Sequence, residues 1–230
     1  MKAVFDPQKA IAVVTVGHRV LNEQSHFRCA TEPVLEMLGF AVEYCYTDDH
    51  EVVIRQAINY NIEFRPHVEW LLLCDVDVFV VRPDRLRRWL LDIRHRPPAL
   101  SGILQNANHI PGSPDYVAPG FALLYLPWWR GHKRELPAVK GEAHDLLGAH
   151  TAFVRERGGR VVPVRPASCL VPRWKLESSC IRYGIGTFYK RLGIVHVYCV
   201  RDEQQSKELC RWFGDLLEWT EEEIEMEKEE

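Results

Sequence analysis

Residues 69–86, which read EWLLLCDVDVFVVRPDRL, join the most apolar predicted strand of the chain to two acidic residues. The first part of this stretch, residues 70–74, is wholly apolar, which is typical of a strand buried on both faces of a parallel sheet. The strand runs directly into Asp75 and Asp77, which lie two residues apart and so face the same side of an extended segment. Two carboxylates beyond a buried strand are costly in free energy unless a positive charge compensates them.

Two strand–helix units are predicted ahead of this stretch. Strands are expected over residues 11–16 and 40–46, and helices over residues 27–38 and 51–64. Strands that alternate with helices in this order predict a parallel sheet with right-handed crossover connections.

Polar residues follow each of the three predicted strands, at positions 17–19, 48–49 and 75–77. Ligands of such sheets bind at the carboxyl ends of the strands. The sequence therefore predicts that three strand ends converge on one ligand site.

The second half of the chain predicts a more mixed set of elements. These are a helix over residues 85–94, strands over 99–104 and 121–126, a loop over 106–119, a helix over 142–156, strands over 160–164 and 193–200, and an amphipathic helix from about residue 202. No internal repeat or clean linker is present, so residues 1–230 are expected to form one domain.

Composition limits the function classes. Apolar residues make up 47% and charged residues 27% of the chain, which is typical of a globular protein. The net charge is −3, but residues 220–230 contribute −6, so the remainder carries +3. A mildly basic body suits a small anionic ligand and lacks the basic stripe of a nucleic-acid-binding surface.

The sequence also bears on location. It has no run of the ~18 apolar residues that a membrane-spanning helix needs, and its first residues lack the apolar core of a signal peptide. The seven cysteines form no CxxC pair, as expected of reduced thiols. A soluble, cytoplasmic protein without an integral membrane segment is therefore expected.

The run of residues 69–86 resembles the DxD segment of GT-A glycosyltransferases, in which an apolar strand leads into Asp-x-Asp and further apolar residues follow. Arg55 and Asn59, four residues apart on one helical face, are similar to the Arg-Asn element that these enzymes place ahead of the motif, although there the two residues are adjacent. The resemblance covers roughly residues 11–90 well and the remainder loosely.

The resemblance implies a GT-A-like α/β fold with a Rossmann-type, mostly parallel sheet flanked by helices and a smaller mixed C-terminal half. It divides the chain into a nucleotide-binding half over residues 1–95, an acceptor and catalytic half over 96–200, and a C-terminal helix with an acidic tail over 201–230. The implied reaction moves a sugar from a nucleotide-sugar donor, with a UDP-sugar favoured, to a glycan or other hydroxyl acceptor.

The resemblance also implies a divalent cation. Carboxylate oxygens suit Mg²⁺ or Mn²⁺, and Asp75 and Asp77 would bind the ion. A third ligand is expected at His196, because many GT-A enzymes place a metal-binding His near the C-terminus. A lone His in an apolar strand is otherwise more often a packed core residue. The residues expected to contact the donor nucleotide are Thr15, Gly17, Arg19, Asp48, Arg55, Asn59, Asp75 and Lys190.

Lys190 belongs to a basic, glycine-containing segment, residues 168–190. This segment resembles a loop that folds over a bound diphosphate. A solvated surface loop is the alternative interpretation of the same residues.

Glu142 and Asp145 are the candidates for a general base. They lie one helical turn apart, in the region where inverting GT-A enzymes carry their base, and Asp145 is preferred. The adjacent Glu-Asp pattern of those enzymes is absent, since Ala143 takes the second position. Acidic residues also stabilise the first turn of a helix, which would explain the pair without a catalytic role.

Two other functions remain open. A sugar-1-phosphate nucleotidyltransferase would share the early topology, but residues 17–23 lack the glycine density of its phosphate-binding loop. A non-catalytic module that binds a nucleotide or a metal would use Asp75 and Asp77 without turnover.

Overall fold

The computed structural model describes residues 2–17, 25–47, 49–107, 110, 112–137 and 147–197, with the backbone alone at residues 16–17, 25–30 and 46–47. Its larger sheet has six strands. They are β1 (Ala10–Gly17), β2 (Ala41–Thr47), β3 (Trp70–Asp75), β5 (Leu100–Gln105), β6 (Tyr116–Tyr125) and β7 (Val161–Val164). The smaller sheet has four strands: β4 (Val78–Val80), β8 (Ser168–Lys175), β9 (Arg182–Tyr189) and β10 (Ile194–His196).

The helices connect these strands. They are α1 (Ser25–Met37), α2 (His50–Glu63), α3 (Pro83–His95), α4 (Leu126–Gly131) and α5 (Gly148–Glu156), with a short 3₁₀ turn at Lys133–Glu135. Within the described ranges, no helix combines the length and the apolar character needed to cross a bilayer.

The larger sheet has the strand order β2-β1-β3-β6-β5-β7. β1 is parallel to both β2 and β3, which confirms the predicted parallel pairing and brings the carboxyl ends of three strands to one edge. β6 is antiparallel to β3 and β5, while β5 and β7 are parallel. The predicted α/β class with a mostly parallel sheet is thereby confirmed.

Helices cover both faces of this sheet, which explains the unbroken apolar run in β3. Leu71 and Leu73 pack with Ile54 and Ile58 of α2 on one face. Leu72 and Cys74 pack on the other face with residues of α3 and of the smaller sheet. Each fully buried leucine stabilises the fold by about 1.5–3 kcal/mol, so this strand anchors the edge at which the acidic residues begin.

The smaller sheet begins immediately after the larger one. Only Val76 and Asp77 separate β3 from β4, so the Asp75–Asp77 segment is the junction between the two sheets. β10 pairs antiparallel with both β4 and β9, and His196 lies opposite Val78. This pairing brings His196 beside the acidic segment.

Two sequence predictions in the second half are wrong. Residues 116–119 belong to β6 and not to a loop, because they complete the ladder with β5. Residues 168–190 form the β8–β9 hairpin and not a loop over a diphosphate.

Side chains outside the hairpin hold its tip. The Asp115 carboxylate accepts hydrogen bonds from the backbone N–H groups of Glu177 at 2.8 Å and Ser178 at 3.0 Å. The Tyr183 hydroxyl donates to Asn106 Oδ1 at 2.6 Å.

His150 of α5 is the clearest example of a buried titratable group away from the sheet edge. It is 2% exposed, and its ring centroid lies 5.5 Å from that of Trp129. No hydrogen-bond partner for Nδ1 exists among the described residues. Burial lowers the pKa of His150 from 6.5 to about 4, because the charged imidazolium would lose its hydration.

We expect this histidine to make the fold less stable in acid. Below pH 6.5 the His150 side chain binds a proton in the unfolded chain, whereas in the folded chain it binds one only below about pH 4. The free energy of unfolding therefore falls by about 3 kcal/mol over this interval through His150 alone. Urea denaturation of the wild type and of His150→Leu at a series of pH values measures the difference.

The exposed His67 provides the control, since His67→Leu should keep the wild-type pH dependence. A His150→Leu variant that loses stability in acid as steeply as the wild type would contradict the expectation.

Candidate metal centre

Asp75, Asp77 and His196 come together at the junction of the two sheets. One ligand atom from each residue lies within 4.8 Å of the others. His196 Nε2 is 3.2 Å from Asp77 Oδ1 and 4.0 Å from Asp75 Oδ2. Ligands held ~2.1 Å from one small cation lie roughly 3–4 Å apart, and both distances from His196 Nε2 fall in this range.

Thr15 of β1 orients the first carboxylate. Its side chain is buried, and its hydroxyl donates to Asp75 Oδ1 at 2.7 Å. His50, the first residue of α2, lies near the same oxygen, with Nδ1 at 3.9 Å from Asp75 Oδ1. Asp75 Oδ1 therefore faces Thr15 and His50, and Oδ2 turns toward His196.

Asp77 is ionised despite its burial. The residue is 9% exposed, and burial by itself would raise the pKa of its carboxyl group. The charge and hydrogen bond of His196 outweigh this, with help from the Asp77 backbone N–H and from His50, so the pKa lies below the usual 3.8. The neighbouring Cys74 thiol shows the opposite effect, because burial and then the two acidic residues raise its pKa well above 9.0.

Gly120 of β6 provides the space in which the His196 ring lies. A Cβ atom at this position would lie 2.5 Å from His196 Cε1, 3.1 Å from His196 Nδ1 and 3.2 Å from Asp75 Oδ2. The first distance is shorter than van der Waals contact allows, and His196 is only 3% exposed. Any side chain at position 120 would displace the ring or the carboxylate.

The structure places the other predicted site residues as follows. Gly17 pairs with Thr47 at the carboxyl edge. Arg55 and Asn59 lie on α2, where they line a groove beside β2. Lys190 lies in the turn before β10, at the opposite end of that strand from His196, and its carbonyl accepts a hydrogen bond from Arg85. The predicted contacts of these four residues with a nucleotide stay predictions.

Four predicted site residues lie outside the described residues: Arg19, Asp48, Glu142 and Asp145. Their roles also stay predictions.

The sequence did not indicate Gly120 or His50. Gly120 immediately follows the segment predicted as a loop, and no local pattern shows which side chain a glycine accommodates. His50 directly follows the acidic end of β2, a position at the carboxyl edge that could have marked it as a site residue.

Trp128 and Trp129, which follow β6, pack against other aromatic rings, and Trp128 is half-buried. Trp129 is fully buried, and its Nε1 donates to the Ala99 carbonyl at 2.7 Å. The Trp128 ring contacts Trp129, His132 and Phe153.

Comparisons with known proteins find similar solved structures, whereas no family model and no curated protein matches the chain. One is a glycosyltransferase involved in glycosylation of the major capsid of PBCV-1, with 15% identity over 86% of this chain and 99% of that chain and a TM-score of 0.48. Another is a mutant Drosophila β1,4-galactosyltransferase 7 in complex with manganese, UDP-Gal and xylobiose, with 14% identity over 67% of this chain and a TM-score of 0.45. This match spans 64% of the Drosophila chain.

A third match is 4-diphosphocytidyl-2C-methyl-D-erythritol synthase from Anaerococcus prevotii, with 13% identity over 69% of this chain and 87% of that chain and a TM-score of 0.34. Glycosyltransferases are thus among the similar structures. Identities of 13–15% with TM-scores of 0.34–0.48 assign neither a family nor an activity to this chain.

We expect Gly120→Ala to weaken Mn²⁺ binding by roughly tenfold or more while the fold is retained, because the new methyl group displaces the His196 ring. Disturbing the orientation of a metal ligand typically costs about 10–100-fold in affinity. Isothermal titration with Mn²⁺, together with a thermal melt, measures both quantities.

Gly131→Ala is the matched control, because nothing lies within 4 Å of a Cβ atom at Gly131. Wild-type Mn²⁺ affinity in Gly120→Ala would show that the position of His196 does not matter to the metal.

Proposed function

We propose that this chain is a divalent-metal-dependent glycosyltransferase that moves a sugar from a nucleoside-diphosphate sugar to a hydroxyl acceptor. One observation carries the proposal. Two ionisable carboxylates and an imidazole meet at the carboxyl edge of a mostly parallel sheet, which is where such sheets bind nucleotides.

The residues present fit a small divalent cation. Asp75 and Asp77 offer hard oxygen ligands, and His196 adds a nitrogen. Carboxylates suit Mg²⁺ and Mn²⁺, and the imidazole ligand favours Mn²⁺ over Mg²⁺. Gly120 leaves the space that a Cβ atom would fill, so the His196 ring and the Asp75 carboxylate can lie side by side.

The bound cation would neutralise the negative charge that grows on the departing nucleoside diphosphate. The protein's own residues prepare this site. Thr15 holds one oxygen of Asp75, so that the other is presented beside His196. Before the cation binds, His196 keeps Asp77 ionised; as a ligand the imidazole would be neutral, and the cation would take over this role. The site is thereby set before a donor binds, which limits the reorganisation that binding requires.

The acceptor side of the reaction is proposed from the sequence. Asp145, with Glu142 as the alternative, would remove the proton from the acceptor hydroxyl, and a carboxylate base of this kind supports an inverting reaction. A glycan is the proposed acceptor and a UDP-sugar the proposed donor, both from the resemblance of residues 69–86 to the GT-A DxD segment.

We expect Asp77→Asn to abolish the Mn²⁺-dependent stabilisation of the protein by UDP, with a loss of metal affinity of roughly a hundredfold or more, since even partners beyond the ligands are worth about 10–100-fold. Removal of the ion with EDTA should have the same effect on the wild type. A thermal-shift titration of UDP with and without Mn²⁺ measures both.

Asp92→Asn changes an exposed aspartate of α3 and should leave the response unchanged. If Asp77→Asn keeps the full Mn²⁺-dependent response, the proposed metal role is wrong.

The reaction product distinguishes the proposed function from its alternatives. We expect release of a nucleoside diphosphate from a nucleoside-diphosphate sugar only when a divalent cation is present. A panel of nucleoside diphosphates in the same thermal-shift assay identifies the base. Release of pyrophosphate from a nucleoside triphosphate and a sugar phosphate would establish a nucleotidyltransferase instead, and metal-dependent binding without turnover would establish a binding module.

A further inference from the structure

A groove of about 470 Å³ lies between α2 and β2. β2 is an edge strand of the larger sheet, and β1 is its only neighbouring strand among the described residues. Glu43 and Cys45 form the floor and residues of α2 form the wall. The volume is within the usual range for ligand sites, ~300–1,000 Å³.

The groove is separate from the metal centre. Thr15 pairs with Cys45 on one side and with Asp75 on the other, so two strand spacings, about 10 Å, separate the near end of the groove from Asp75. α2 begins at His50 and extends for about 20 Å over its 14 residues, so its far end lies well away from the metal centre.

Exposed aromatic rings mark the far end of the groove. Phe64 is 67% exposed and Tyr60 is 49% exposed, and their ring centroids lie 5.5 Å apart. The Arg65 guanidinium lies 4.9 Å from the Tyr60 centroid and pairs with Glu43 at 2.6 Å. The Tyr60 ring is therefore held in place at the surface, although its exposure costs the protein free energy in water.

A buried polar atom borders the same groove. Asn61 is 1% exposed, and its Nδ2 donates to the Ala57 carbonyl at 2.8 Å. Within the described part of the chain, no donor lies within hydrogen-bond distance of its Oδ1. A buried acceptor in this state destabilises the free protein, and a ligand hydroxyl would pair with it once the Asn61 side chain turned toward the groove.

We propose that this groove is a second binding site, for a neutral oligosaccharide. Exposed planar amide side chains from Gln56 and Asn59 offer donors and acceptors to sugar hydroxyls. The Tyr60 and Phe64 rings offer apolar faces to the C–H faces of a pyranose.

Charge gives an anionic ligand no advantage here. The charged side chains at the groove are Glu43, Arg55 and Glu63, with Arg65 paired to Glu43, so their sum is zero. A phosphate-bearing molecule would gain no net attraction from this lining, and a neutral glycan needs none. Arg55 and Asn59 would then contact this glycan.

Such a site holds a glycan beside the metal centre without placing it in the centre. A glycan bound at two points on one protein gains affinity through the high effective concentration of its second part. The ligand class follows from the groove itself and does not require that the chain transfer sugars.

The test titrates xylotetraose, cellotetraose, mannotetraose and chitotetraose, each at millimolar concentration, into the full chain in the presence of EDTA. At least one should bind. Phe64→Ala and Tyr60→Ala should each weaken that binding by roughly five- to tenfold, the value of one aromatic contact. Both side chains are largely exposed, so the melting temperature should hold. Met37→Ala, an exposed apolar residue outside the groove, is the matched control and should bind normally.

Cysteine alkylation provides a second readout. The Cys45 thiol is free and lines the groove, whereas Cys180 is free and exposed outside it. The oligosaccharide should slow carbamidomethylation of Cys45 several-fold and leave that of Cys180 unchanged, as measured by peptide mass spectrometry.

The proposal is overturned if none of the four oligosaccharides binds, or if Phe64→Ala and Tyr60→Ala bind as tightly as the wild type. Self-association through the groove, seen as a concentration-dependent mass that Phe64→Ala abolishes, would also overturn it. Asp77→Asn should keep this binding. A failure of the proposed transferase function is therefore distinguishable, because it concerns only the metal-dependent response.

Discussion

Two carboxylates at the junction of two sheets carry an electrostatic cost, and the surrounding structure is arranged to offset it. Asp75 ends a strand that is buried on both faces, and Asp77 is itself 9% exposed. An unpaired charge in such a place is expensive. The protein meets this cost with a threonine hydroxyl, an imidazole and a glycine that leaves room for that imidazole.

The topology follows from the same constraint. Because β4 begins only two residues after β3, the chain cannot turn away from the sheet edge, and Asp77 is fixed at the point where the smaller sheet starts. The antiparallel pairing of β10 with β4 then determines which residue faces the carboxylates. The arrangement presents three ligand atoms to one point, as a metal-assisted transfer to or from a phosphate requires.

The groove beside β2 contains features that cost free energy in the unbound protein. There the groove exposes aromatic rings and leaves one buried amide oxygen of Asn61 without a partner in the described part of the chain. Sites of this kind are typical of binding, since features that cost free energy in the unbound protein are maintained where a ligand compensates them. The groove lies along β2, whereas the metal centre lies at the carboxyl end of β3. The two sites differ in charge as well as in lining.

The resemblance to GT-A enzymes indicated His196. The sequence itself predicted the strand–helix order of the first half and the acidic segment at the sheet edge, because apolar periodicity and residue spacing are local properties. It was wrong for residues 116–119 and 168–190, where strand formation depends on partners far along the chain. The folded structure was needed to show that Thr15 orients Asp75, that Gly120 makes room for His196 and that the Asn61 amide oxygen meets no donor among the described residues. Each of these depends on a distance between atoms that the order of residues does not contain.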